Sequence, residues 1–406
     1  MNRKTLVRLM MFLTAGLAGA CARPPEVVPP PRAEEVSPPK AEVAAPPKVE
    51  EVPPLDAVAW QEVDGWGKEN PVPALETFLK SCAAISSRPM WQGVCSEASA
   101  IDLNDGEAVR RFFEERFIPY QVRNPDGSDT GLITGYYVPE LKGSRSRTKK
   151  FSYPIYGVPD DLLVIDLGSV YPELGNYRMR GRVVGRRVVP YWDRAEIDGG
   201  KAPLKGQELF WVEDPVELFF LQVQGSGRIV LQDGEKVMVN YGDQNGRPYR
   251  SIGKTLLERG AMTRDQMSMQ NIKAWGRNNP DLVGKLLNEN PSYVFFRELS
   301  PGVKSPPGAL GVPLTAGRSL AVDPRTIPLG APVFISTTRP CTSDCLQRLM
   351  VAQDTGGAIK GAVRADFFWG LGGAAGDLAG RMKQKGRLWV LLPLEVTLSE
   401  GRVAGR

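Results

Sequence analysis

Near the C-terminal end of the chain, Leu349 to Trp369 reads LMVAQDTGGAIKGAVRADFFW. No other stretch constrains the fold as tightly. Leu349-Met350-Val351-Ala352 is an apolar run of the kind a buried strand shows. The loop Asp354–Gly361 follows, with three glycines in its last six positions, and glycines such as Gly356 and Gly357 let a backbone approach a ligand closely. A second carboxylate, Asp366, then stands against Phe367, Phe368 and Trp369. Aromatic neighbours desolvate a carboxyl and raise its pKa, which is how a general acid keeps its proton near neutral pH. Taken alone, Asp-Thr-Gly-Gly also reads as an ordinary turn and Asp366 as a helix N-cap.

The start of the chain has the form of an export signal. Arg3, Lys4 and Arg8 precede an apolar core, Leu9 to Leu17, too short to span a bilayer. Ala18-Gly19-Ala20 and then Cys21 resemble a bacterial lipoprotein cleavage box, with its leucine, Leu17, one place further from the cysteine than usual. The resemblance implies removal of residues 1–20 and lipid on Cys21; ordinary cleavage to a soluble periplasmic protein is the alternative. Ala22, rather than aspartate, follows Cys21 and favours the periplasmic face of the outer membrane in a Gram-negative bacterium.

Residues 22–55 repeat Pro, Val, Glu and Ala, with PPP at 29–31. Such a segment buries no core and forms a semi-extended tether reaching up to ~100 Å. The chain holds 51 Lys and Arg against 46 Asp and Glu; without residues 1–20 the bases fall to 48. That near balance gives no footprint for nucleic acid. The chain has no histidine, which excludes histidine triads and histidine metal sites, and leaves acid–base work to Asp, Glu, Lys or Tyr.

From about Val58 to Glu395 the chain reads as a folded body long enough for two domains. Helical spacing marks Ala74 to Phe117, Ser251 to Arg259, Asp265 to Asn278 and Leu282 to Asn290. Ser144 to Asp243 reads as mostly β, with Phe219 to Leu231 a strand, a glycine-rich turn and a second strand. Besides Cys21 there are four cysteines, and in an oxidising compartment the sequence-local pairs Cys82–Cys95 and Cys341–Cys345 are expected. No Cys or His cluster completes a metal site, and neither metal nor cofactor is expected.

Several runs carry a family resemblance: Thr134-Gly135-Tyr136-Tyr137, Phe219-Phe220-Leu221-Gln222-Val223-Gln224-Gly225-Ser226-Gly227, Tyr249-Arg250-Ser251-Ile252-Gly253-Lys254, and Asn290-Pro291-Ser292-Tyr293-Val294-Phe295-Phe296. With the Asp354–Asp366 block, they are similar in kind and order to the membrane-bound lytic murein transglycosylase A family. The C-terminal part, about 308–395, resembles the domain named for three aspartates, here Asp323, Asp354 and Asp366. The resemblance implies a mainly β fold with helices. A double-psi β-barrel would be built from residues 58–138 and 244–395, a second β-barrel inserted at 139–243, and a glycan groove would lie between them.

It also implies a peptidoglycan lyase. The family's single catalytic carboxyl falls on Asp366, acting as acid and then as base while the muramic acid C6 hydroxyl forms a 1,6-anhydro ring; Asp354 would orient the acid or the sugar. Sugar contacts are expected from Thr134, Gly135, Tyr136, Gln224, Gly225, Ser226, Gly356 and Gly357. Arg250 and Lys254 either meet the lactyl and peptide carboxylates or cap their helix. The expected partners are glycan strands and, through Cys21, a membrane. A hydrolytic muramidase using Asp354 or Asp323 to activate water, and a non-catalytic wall-binding lipoprotein, are the competing functions.

Overall fold

The chain is described by a computed structural model covering residues 54–174, 177, 179–396, 398–399 and 402–403. The export segment, Cys21 and most of the tether lie outside the described residues. Among the described residues no helix is long and apolar enough to cross a membrane.

After a short strand, β1 (Leu55–Ala57), come three helices, α1 (Val72–Ile85), α2 (Pro89–Ala98) and α3 (Gly106–Arg116). On α1, Leu75, Phe78, Cys82 and Ile85 recur at helical spacing and are buried. Asp105 starts α3 by accepting a hydrogen bond from the Ala108 amide at 2.9 Å. Cys82 and Cys95 are joined by a disulfide that ties α1 to α2. These helices pack Phe78, Trp91 and Phe113 into the main core, each such side chain contributing about 1.5–3 kcal/mol on burial.

The main sheet follows from strands far apart in sequence: β2 (Phe117–Val122) and β3 (Gly131–Val138) early in the chain, and β13 (Ser319–Val322), β14 (Pro332–Thr338), β15 (Cys345–Asp354), β16 (Arg364–Leu371) and β17 (Lys383–Pro393) late. The order is β1-β2-β17-β14-β15-β13-β16-β3, and β3 also pairs with β17. Six strands, β17-β14-β15-β13-β16-β3, therefore close into a ring. The pairs β13–β15 and β16–β3 are parallel. Inside it, Leu320, Val322, Val333, Ile335, Met350, Leu388 and Val390 share one side and are fully buried. Helix α9 (Gly372–Arg381) packs against β3 and β16.

Between β3 and β13 the chain builds a second sheet, ordered β12-β11-β10-β4-β9-β5. Its strands are β4 (Glu140–Ser144), β5 (Tyr153–Tyr156), β9 (Glu208–Val212), β10 (Ser226–Val230), β11 (Lys236–Gln244) and β12 (Val294–Glu298). A bridge between Gly157 and Phe296 brings the two edges together. A small sheet, β6 (Leu163–Ile165), β7 (Met179–Val184) and β8 (Arg187–Pro190), and helix α4 (Arg194–Asp198) are attached to this region. The second sheet runs past the boundary expected at Asp243, because its edge strand β12 returns after helices α6 (Ile252–Glu258), α7 (Met269–Asn278) and α8 (Pro280–Leu287).

Two sequence expectations are corrected. Phe219–Gln224 is not a strand but the end of helix α5 (Pro215–Gln224). Asp214 caps that helix by accepting from the Val216 and Glu217 amides, Pro215 occupies its first turn, and Gly225 ends it at φ 78°. Cys341 and Cys345 are separate, exposed thiols rather than a pair. Cys345 begins β15 opposite Thr338, whereas Cys341 sits in the preceding turn with φ 61°.

Candidate active site

The parallel register of β3 and β16 sets Leu132 beside Arg364, Thr134 beside Asp366, and Tyr136 beside Phe368. Side chains alternate along a strand, so these six share one side and Gly135, Phe367 and Trp369 share the other. Only Phe368, of the three aromatics after Asp366, therefore lies on its side. Phe367 and Trp369 pack against each other on the far side, with ring centroids 4.5 Å apart. Phe368 packs on Tyr136 at 5.0 Å. Val138, Leu314, Ala321, Ile359 and Met238 complete an apolar floor. Met238 belongs to β11, so the second sheet helps to build that floor.

Asp366 keeps partial solvent access as a residue, but its carboxyl is recessed. Burial pushes it up to about 6, against the opposing pull of a hydrogen bond from Thr134 and the positive charge of Arg364; Asp354 pushes in the same direction as burial. Thr134 Oγ1 donates to Asp366 Oδ1 at 2.5 Å.

Asp354 ends β15. The amides of Ala309 and Thr355 both donate to its Oδ1 at 2.9 Å. Burial outweighs those bonds and raises this carboxyl too. Tyr136 is near both acids: its hydroxyl is enclosed next to Asp354 without closing a well-formed hydrogen bond. Burial first, then both carboxylates, push the phenol well above its ordinary value, so it stays protonated.

Asp323, the third aspartate, has a different surrounding. It is 4% exposed, is paired with Arg325, and accepts from the Gly361 amide at 2.9 Å. Burial pushes it up, but these bonds win and hold it below the usual carboxylate range. Gly361 takes φ 114°, which favours glycine, so Asp323 pins the loop where that residue bends. A carboxylate committed to such a pin is poorly placed to activate water.

The remaining expected contacts divide. Gln224 Oε1 accepts from the Tyr137 amide at 3.1 Å, which brings the end of α5, Gly225 and Ser226 beside β3. Gly357 is exposed with open space around it, and Gly356 turns the loop under Ile359. Gly135 faces away from Asp366: a Cβ there would meet Trp369 Nε1 at 2.6 Å and Ala379 Cα at 3.0 Å. Its smallness serves the packing of α9. Arg250 and Lys254 line a separate surface hollow of about 390 Å³ with Ser251, Arg259 and Glu289, and Lys254 pairs with Glu258 at 3.6 Å. None of the residues around Asp366 lines that hollow.

Sequence reasoning missed Arg364, whose Nη2 donates to Thr134 Oγ1 at 2.8 Å. Its position two residues before Asp366 on a strand was the available signal.

Residues 132–297 match the MltA specific insert domain, and residues 318–392 match the 3D domain. The membrane-bound lytic murein transglycosylase A of Escherichia coli (strain K12) is 35% identical over 280 residues, 67% of this chain and 68% of the relative. A crystal structure of MltA from Neisseria gonorrhoeae superposes with TM-score 0.73 at 41% identity, covering 84% of this chain and 93% of that one. The structure of E. coli MltA with bound chitohexaose superposes with TM-score 0.65 at 28% identity, covering 84% and 96%. With two matched domains in one order and one shared fold, the chain belongs to the membrane-bound lytic murein transglycosylase A family.

Proposed function

We propose that this chain is a lytic transglycosylase that cleaves the β-1,4 bond between MurNAc and GlcNAc in peptidoglycan. The observation that carries the reading is the carboxyl of Asp366, recessed, raised to about 6 and held by one hydroxyl donor. Cleaving a glycosidic bond needs a proton on the leaving oxygen and an electron-rich atom to meet the oxocarbenium-like carbon. Asp366 gives its proton to the GlcNAc O4 as the C1–O4 bond breaks. The carboxylate then takes the proton of the MurNAc C6 hydroxyl as O6 attacks C1. The product is a terminal 1,6-anhydro-MurNAc, and Asp366 ends protonated, ready for another cycle. No water and no enzyme nucleophile enter.

Asp354, fixed by two backbone donors, orients the sugar or the acid. Thr134, Tyr136, Gln224, Gly225, Ser226, Gly356 and Gly357 are the proposed sugar contacts. The bound chitohexaose of the E. coli relative supports a glycan groove. We assign the groove to the cleft between two bodies: the closed six-stranded ring with its helices, and an inserted body running from about 139 to 298. Lipid on Cys21 would hold the enzyme at the periplasmic face of the outer membrane, with the proline-rich tether giving it reach into the wall.

Mass spectrometry of murein digested by the purified protein tests this reading. Anhydromuropeptides are the expected products. Reducing ends would instead mean a hydrolase, and binding without release a wall-binding lipoprotein.

A further inference from the structure

Arg364 shares the Asp366 side of β16, two positions before it. Among the described residues no ion pair joins the two. Instead the guanidinium is anchored by backbone: Nη1 donates to the carbonyls of Ala365 and, at 3.4 Å, Leu132. Anchored so, it turns Nη2 toward Thr134 Oγ1 at 2.8 Å. A threonine hydroxyl has one hydrogen and two lone pairs. Arg364 has only donors, so one Thr134 lone pair must receive. The single hydrogen is then directed at the other neighbour, Asp366 Oδ1, at 2.5 Å.

We propose that Arg364 is a positioning residue for the reaction: it fixes the Thr134 hydroxyl as an obligate donor to Asp366 Oδ1, so that the proton delivered to the glycosidic oxygen is carried on Oδ2. This rests on the reading of Asp366 as the acid. Reversing the Thr134 hydroxyl would set its hydrogen against a guanidinium, which a cation with no acceptor forbids. The relay favours the ionised carboxyl and limits how far burial and Asp354 raise it. The other titratable groups facing Asp366 are Asp354, at the end of β15, and Tyr136, on β3. Strand β13 presents only Ala321 opposite Asp366.

The test uses the full mature chain labelled with ¹³C at aspartate carboxyls, with Asp366→Asn giving the assignment. The Asp366 titration and the pH profile of anhydromuropeptide release are both recorded for Arg364→Met, Arg364→Lys, Thr134→Val and the Arg364→Met/Thr134→Val double variant. Arg364→Met should raise the Asp366 titration by about one pH unit, Thr134→Val by a similar amount, and the pair by less than their sum. Arg364→Lys keeps charge without the anchored fork and should fall between wild type and methionine. The proposal is overturned by an unmoved titration in Arg364→Met, by full additivity in the double variant, or by a wild-type titration in Arg364→Lys, which would mean that charge alone suffices. A titration that moves while the activity profile stays put upholds the hydroxyl relay and sinks the reading of Asp366 as the acid.

Discussion

Thr134 and Asp366, 232 positions apart in sequence, meet across a parallel strand pair with Oγ1 donating to Oδ1 at 2.5 Å. The pairing closes the six-stranded ring, and the whole second sheet lies between β3 and β16 along the chain. The acid and its donor therefore come together as a consequence of the fold's long-range topology.

The first prediction concerns pH. The reaction starts from protonated Asp366, so activity should fall as pH rises through about 6. Each further pH unit should cost about tenfold in kcat/KM. Stability has the same sign. A carboxyl raised in the folded state contributes stability that is fully present below the unfolded pKa, near ~4, and is lost as pH rises through the folded one. Asp366→Asn removes that penalty, so at pH 8 the variant should be more stable than wild type by on the order of 2 kcal/mol, with the difference vanishing near pH ~4. Thermal melts at both pH values check this.

A second prediction concerns cysteine. Cys82–Cys95 closes a loop of sequence separation 13, and its loss should cost about 3 kcal/mol by the chain-entropy account. Cys341 and Cys345, exposed and unbonded, should both react with a thiol reagent in the native protein, and their joint replacement by serine should leave the melting temperature within about 1 °C, as for surface changes. Mass mapping of the labelled peptides decides it.

Gly135 gives a third. The sequence suggests a sugar contact there, but the structure turns it toward α9. Gly135→Ala should cost about 1–3 kcal/mol of stability by overpacking against Trp369 and Ala379. Denaturant unfolding measures the loss, and glycan affinity of the folded fraction should be unchanged.

These cases mark what the sequence makes legible. Asp366 and Asp354 stand out because each sits in a short, chemically odd stretch. Helices α1 and α3 follow from apolar spacing and, for α3, a capping aspartate. Helix α5 was also written in the chain, in Asp214, Pro215 and Gly225, but the apolar run Phe219–Leu221 has the composition of a buried strand and masks those signals. Thr134 touching Asp366, Arg364 acting on Thr134, and β12 rejoining the second sheet are relations between distant residues. Period and propensity describe neighbours along the chain and are silent about them. The expected three aromatics around Asp366 fail for a simpler reason: strand alternation sends two of them to the far face.

The central claim is that Asp366 carries the proton, and paired asparagine variants test it most directly. Asp366→Asn keeps the shape and the Thr134 contact but has no proton to give. Rates of anhydromuropeptide release from purified murein, measured by mass spectrometry, should fall about 10⁴-fold, with glycan binding and fold retained. Asp354→Asn should lose less, because that residue orients rather than transfers. Near wild-type release by Asp366→Asn together with a dead Asp354→Asn would contradict the account and move the acid to the glycine-rich loop.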